Sequence, residues 1–323
     1  WMTVLMMPEA QPYFHKALLQ ESFPVDVSLM PLDEAKIVAK DLFDTLKVTT
    51  MEEFLALPNN VIASTQIANP TRTEYKALAP VVDDVTIPSN YLELLMGGIA
   101  KGKKIMMGSN EGTYDQMYRD PSDPAAALNQ ARMRNWGKLT ENGWNDQHEE
   151  IVAKFLLHNE LYDRDDFTAA KDLDNDLQMR VPAILLANAL TVHADVYETD
   201  VYLYYLTWDI NPNDGHIRAG HGSENRVIQR RWDEISAWND SNRDEMLVHA
   251  ERLSNLWAQF IRTGNPNFGG LGTTWTKYNS NTRDTLVFSR SPHVVQGVRN
   301  EDTDLLLPLL REYQTYINYK NRQ

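Results

Sequence analysis

The sequence predicts an α/β fold with a mostly parallel central sheet and flanking helices, and three observations carry that expectation. Short apolar runs of strand character alternate with longer segments of helical periodicity along the 323 residues, as parallel strands joined by crossover helices do. The run from Asp200 to Trp208 is dense in aromatic and β-favouring side chains. Two glycine-flanked polar loops, one holding Glu111 and the other His221, each follow such a run, where parallel sheets gather their functional groups.

In chain order, Trp1 to Ser22 reads as an apolar helix, a break at Pro8 to Pro12, and a segment Tyr13 to Gln20 in which Lys16 to Gln20 suits a buried strand. Asp33 to Leu46 has helical periodicity with an acidic first turn. Met51 to Leu57 is a short helix, Ala79 to Asp84 a strand or extended loop, and Asn90 to Ala100 a helix ending near glycine. Lys104 to Met107 is a short buried strand that delivers Glu111. From Tyr114 to about Leu190 the chain turns helical, with segments Asp123 to Trp136, His148 to His158, Phe167 to Leu173 and Val181 to Leu190. That excursion, residues 114–190, is expected to form a cap-like region over a pocket. Asp244 to Arg262 is the strongest helix, with Leu247, Ala250, Leu253, Leu256, Trp257 and Phe260 on one face and Gly264 at its end. Thr285 to Phe288 is a late strand, and Glu301 to Tyr316 a helix bent near Pro308. No linker or internal repeat divides the chain, so residues 1–323 are expected to belong to one domain.

Composition removes several function classes. A net charge of −14 with scattered Lys and Arg does not suit nucleic acid, whose phosphates need clustered cations. With no cysteine there are no disulfides or thiolate metal sites, which fits a cytoplasmic protein, although a disulfide-free exported one would look the same. No apolar run approaches the roughly 20 residues that span a bilayer. The motifs H-E-x-x-H, G-x-x-x-x-G-K-[ST] and G-x-G-x-x-G are absent, and no metal or organic cofactor is expected.

The chemistry concentrates on two loops. Serine-based acyl transfer needs a base, a carboxylate that orients it, and donors for the oxyanion. In Arg218-Ala219-Gly220-His221-Gly222-Ser223-Glu224, the glycines allow a tight loop that presents an imidazole, the natural base near neutrality. In Met107-Gly108-Ser109-Asn110-Glu111-Gly112, Glu111 is the candidate acid. Asp115 is the lesser candidate, because it falls inside the next helix, and His216, five residues from His221, rivals it as the base. The remaining histidines read as surface or packing residues, with His15 and His249 in helices. No G-x-S-x-G nucleophile elbow occurs in the chain, and it opens on Trp1 rather than Met, which points to processing, nicking or a preceding segment.

These pieces, in order, resemble the type-B carboxylesterase family of cholinesterases and bacterial para-nitrobenzyl esterases, which has the α/β-hydrolase fold. Tyr13 to Ser22 is similar to the segment after the family's nucleophile elbow, and Pro80-Val81-Val82-Asp83 to its P-V-x-D stretch. Met106 to Tyr114 resembles the acid segment, and Gly220-His221-Gly222-Ser223-Glu224 the H-G-x-E loop. Trp257-Ala258-Gln259-Phe260 through Thr263-Gly264-Asn265-Pro266-Asn267 resembles the W-x-x-F…T-G-N-P-N signature. The resemblance implies a C-terminal part of such an enzyme acting on a small-molecule ester, with Glu111 as acid and His221 as base. It also implies that the serine and oxyanion hole come from an N-terminal segment or chain ahead of Trp1, and it leaves oligomerisation open. One departure stands out: Gly108-Ser109-Asn110-Glu111-Gly112 is two residues shorter than the family's G-x-x-x-D-E-G. Two other functions fit the same residues, a non-catalytic adhesion protein on this fold and an amidase or carbamate hydrolase with the same triad.

Overall fold

The computed structural model describes residues 2–21, 29–65, 79–139, 145–210, 217–239 and 241–322. Its strands are β1 (Lys16–Gln20), β2 (Met30–Pro31), β3 (Val81–Val82), β4 (Lys104–Asn110), β5 (Asp200–Leu206), β6 (Asp284–Phe288) and β7 (His293–Gln296). The main sheet runs β1-β4-β5-β6-β7, while β2 and β3 form a separate parallel pair. Its first four strands are parallel, with Leu18 opposite Met106, Met106 opposite Tyr202, and Tyr204 opposite Leu286; β7 closes the edge antiparallel. The expected mostly parallel sheet is what forms. β4 and β5 are buried along almost their whole length, which is why they read as continuous apolar runs rather than alternating ones.

Side-chain alternation along β4 separates two cores. Ile105 and Met107 point into one, where the wholly buried helix Val181–Thr191 packs on β4 and β5. Met106 points into the other, beneath the helix Arg243–Thr263. In this second core Tyr204 meets Trp257 edge to face at a centroid distance of 5.3 Å, and Trp208, Trp275 and Phe260 are fully buried. Each such side chain contributes roughly 1.5–3 kcal/mol through burial, so this amphipathic helix holds the sheet's second face. The opposite alternation decides where a polar residue at a strand end is aimed, and the site depends on that.

Helices Leu32–Leu46, Met51–Leu55, Asp146–Leu157, Asp166–Asn175 and Arg243–Thr263 lie within a residue or two of expectation, whereas Tyr91–Met96, Pro124–Leu139 and the bent terminal pair Asn300–Leu306 and Arg311–Lys320 differ by three or four at their C-terminal ends. The first residues divide into a helix Met2–Met6, a 3₁₀ turn Pro8–Tyr13 and β1. Besides the unexpected edge strand β7, three further features differ from expectation. β4 runs on to Asn110 instead of ending at Met107, because Ser109 and Asn110 complete their ladder against Tyr205 and Leu206. A π-helical turn, Asp176–Arg180, joins Asp166–Asn175 to Val181–Thr191, so the two expected helices are continuous. His15 lies in a bend before β1 and is exposed. No helix among the described residues is long and apolar enough to cross a membrane.

Candidate active site

The loop bearing His221 is tied to the end of β4. Gly112 N donates to Ala219 O at 2.9 Å, forming a parallel bridge between Gly112 and Gly220. Beside it, Arg218 is gripped by buried Asp115, which accepts from its Nε at 2.8 Å, its Nη2 at 3.0 Å and its backbone N at 3.2 Å. Arg218 Nη1 also donates to Asp172 at 2.6 Å. Burial alone would push the Asp115 carboxyl up, but Arg218 and then Lys171 outweigh it and hold it below the usual range. Asp115, the lesser acid candidate, is therefore committed to the anchor. Past His221 the chain turns through Gly222 at φ 66°, a left-handed conformation that glycine adopts without steric cost.

The two loops do meet, as the sequence led us to expect, yet the carboxylate that reaches His221 belongs to a third. His221 Nδ1 lies 2.7 Å from Glu21 Oε2. A carboxylate only accepts, so Nδ1 carries the proton and Nε2 is left as the ring's acceptor. Glu21 follows directly on β1 and its side chain is 2% exposed. Its Oε1 accepts a very short bond from Thr113 Oγ1 and a longer one from Asn110 N at 3.3 Å, while Gly222 N reaches Oε2 at 3.3 Å. Glu21 has φ 47°, a left-handed backbone that is uncommon for a non-glycine residue. Such strain persists where its surroundings over-determine it, and it clusters at functional sites.

Glu111 does not occupy the position expected of it. Its backbone N donates to Leu206 O at 2.9 Å, prolonging the β4–β5 ladder by one residue. Asn110 therefore turns toward the His221 side, where its amide donates to Gly220 O and to Glu224. The next residue must turn the other way, and the Glu111 carboxylate stands 3.7 Å from Arg218 Nη1. Burial pushes its pKa up, opposed by Arg218. Alternation, which the sequence reading did not follow past Met107, thus sends Glu111 into the ion cluster of Arg218, Asp172 and Arg299.

A second buried carboxylate lies near the pair. Glu224, 1% exposed, accepts from Gln20 Nε2 at 2.8 Å and from Asn110 Nδ2 at 2.8 Å. Its pKa is raised, first by burial and then by Glu21. His221 is raised above the ordinary imidazole value by its hydrogen bond to Glu21, against the opposing effect of burial, with both carboxylate charges adding to the rise. The His221 side chain remains 59% exposed and lines a pocket of about 400 Å³ with Gln116, Ile217, Arg226 and Ile235. The ring is thus fixed on one side and open on the other, the arrangement of a general base.

Another imidazole contacts a buried acid, since His158 Nδ1 lies 2.7 Å from Asp302. There Arg164 Nη1 also binds Asp302 at 2.8 Å, so the acid's charge is already met by a guanidinium. His158 reads as part of that ion network. His148 is buried in the cap of its own helix, and His249 packs on Trp208. His216 lies outside the described residues, among which no cluster of ligands suits a metal ion.

With that geometry in view, the sequence profile of the carboxylesterase family matches residues 2–306. The chain belongs to the carboxylesterase family. Similar solved structures agree on the α/β-hydrolase fold. A PNB esterase superposes with a TM-score of 0.68 at 18% identity, covering 94% of this chain and 60% of that one. Carboxylesterase EST55 of Geobacillus stearothermophilus gives 0.71 at 19% identity, over 94% and 60%. The rat protein named pyrethroid hydrolase Ces2e is 23% identical over 290 residues, 83% of this chain. This carboxylesterase-family chain spans 47% of the length of that relative. Glu21, Arg218 and Asp172, which the structure brings to or beside the His221 loop, were not singled out in the sequence reading. The visible signal for Glu21 was its place directly after a candidate strand, the same signal that singled out Glu111.

Proposed function

We propose that the protein hydrolyses carboxylic esters of small molecules with His221 as general base, the serine nucleophile and oxyanion donors being supplied from outside residues 1–323. The observation that carries this reading is the fixed imidazole: Nδ1 bonded to a buried carboxylate at 2.7 Å, the ring open to a pocket. A base held in one tautomer keeps its Nε2 lone pair as the acceptor. No serine or threonine hydroxyl among the described residues is bonded to that ring, and the family relationship makes a serine the expected partner.

In this mechanism Nε2 takes the proton of the serine hydroxyl as its oxygen attacks the ester carbonyl. The imidazolium is stabilised by the adjacent carboxylate and then protonates the departing alcohol. Neutral His221 next deprotonates water as it attacks the acyl-serine carbonyl, and the imidazolium returns that proton to the departing serine oxygen as the acid is released. The helical stretch 114–190 supplies Gln116 to the pocket wall, in keeping with a cap-like role. The test is hydrolysis of p-nitrophenyl esters by the full-length protein. His221→Ala is expected to lower kcat by about 10⁴-fold or more, on the scale of triad deletions, and near-normal turnover would exclude this role for His221.

A further inference from the structure

We propose that the carboxylate orienting His221 in this chain is Glu21, at the end of β1, and that Glu111, at the end of β4, serves instead as a counter-ion of Arg218. The inference rests on the ester-hydrolase reading and assigns the positioning residue within it.

The geometry separates the two acids on three grounds. First, Glu21 bonds His221 Nδ1 at 2.7 Å, whereas Glu111 has Arg218 as its ion-pair partner. Second, a swing of Glu111 toward the ring is blocked by its backbone. Its own N and that of Gly112 are both bonded into the ladder, to Leu206 O and Ala219 O at 2.9 Å, which fixes the face its side chain takes. Third, the two differ in what balances their charge. Glu21 accepts from the neutral donors Thr113 Oγ1, Asn110 N and Gly222 N, and among the described residues its ion-pair partner is His221. Its charge is therefore available to an imidazolium formed beside it. Glu111 already faces a guanidinium, so the same charge there would do little for the ring.

The left-handed backbone of Glu21 fits this assignment. At φ 47° it leaves the extended path, and the carboxylate turns to the side that His221 occupies. The shorter acid loop noted in the sequence fits as well, because β4 ends at Asn110 and the backbone bond of Glu111 N to Leu206 O leaves it little slack. The orienting role has passed to the neighbouring strand end, and the old acid position has joined the ion cluster that anchors the His221 loop.

The experiment compares Glu21→Gln, Glu21→Asp and Glu111→Gln in the full-length protein. Two readouts are used: p-nitrophenyl butyrate hydrolysis across pH, and the titration of His221 followed by NMR. Glu21→Gln should lower kcat by about 10³–10⁴-fold with KM little changed, the scale seen when a triad carboxylate becomes an amide. It should also lower the His221 titration midpoint and move the acid limb of kcat/KM to lower pH. Glu21→Asp should recover part of the loss. Glu111→Gln should stay within about tenfold of wild type in kcat and leave the His221 midpoint in place. The opposite pattern, with Glu111→Gln abolishing turnover and shifting His221 while Glu21→Gln does neither, overturns the assignment. If Glu21→Gln does not fold, Thr113→Val, which removes a donor to Glu21 but no charge, must lower kcat and shift the His221 midpoint; no change in either overturns the assignment too. An unmodified protein that hydrolyses no ester would fail the functional reading itself, and the NMR titration would still decide which carboxylate holds the ring.

Discussion

Arg218 and Asp115 form a forked ion pair, with Nε and Nη2 of one donating to the two carboxylate oxygens of the other at 2.8 and 3.0 Å. Asp115 is fully buried, and the pair pins the chain three residues before His221. Removing one partner of a buried pair leaves the other charge without compensation and costs about 3–5 kcal/mol. Asp115 keeps Lys171 at 3.4 Å, so Arg218→Met should lower stability by less than that, read from the midpoint of urea denaturation, and reduce kcat because the His221 loop loses its anchor. Arg218→Lys should recover only part of either, since an ammonium cannot reproduce the fork. A stable, fully active Arg218→Met protein would show that the loop is held by its backbone bridge alone.

The pH dependence follows from the two carboxylates near His221. In the proposed mechanism activity needs the neutral ring, and the bond to Glu21 raises its pKa above the ordinary value of 6.5. The acid limb of kcat/KM should accordingly fall above pH 6.5, with activity lost as pH drops through it. Glu224 adds to the rise by its charge, so removing that charge makes the imidazolium less favourable and lowers the pKa. Glu224→Gln should therefore shift the acid limb toward lower pH, by less than Glu21→Gln does. An acid limb that does not move would mean that Glu224 is protonated in the working enzyme and contributes through hydrogen bonds only.

How much of this was legible in the sequence depends on the range of the signal. Local signals worked well: helical periodicity marked Arg243–Thr263, and the aromatic run marked β5 almost to the residue. β7 was missed because His293–Gln296 is only four residues long and a partly exposed edge strand. The site was half legible. A histidine between glycines at a strand end is a local feature, and the two loops do meet. Which carboxylate meets the ring was not a local question. It turned on whether β4 stopped at Met107 or ran on to Asn110, since one more residue reverses the face. It turned also on the left-handed turn at Glu21, for which a non-glycine residue gives no warning. The buried ion cluster was invisible for a similar reason, because Arg218, Asp172, Arg299 and Asp115 come from four separate segments.

Gly108 offers a test of the strand frame that carries the site. A methyl group built there would lie 2.3 Å from Tyr204 O and about as close to the Tyr204 ring. Tyr204 is its registered partner on β5 and is packed against Trp257, so neither the backbone nor the ring has room to retreat. Overpacking a well-filled core costs about 1–3 kcal/mol even where side chains can adjust, and here the obstacle includes backbone. Gly108→Ala should lose at least the upper part of that range in urea denaturation, or fail to accumulate as folded protein. Gly269 is the control, since a methyl group there meets nothing within 4 Å. Gly269→Ala should be neutral or gain about 0.4–1 kcal/mol by restricting the unfolded chain. Equal midpoints for the two variants would mean that β4 and β5 do not approach as closely at Gly108 as described, and the alternation that turns Glu111 away from His221 would lose its footing.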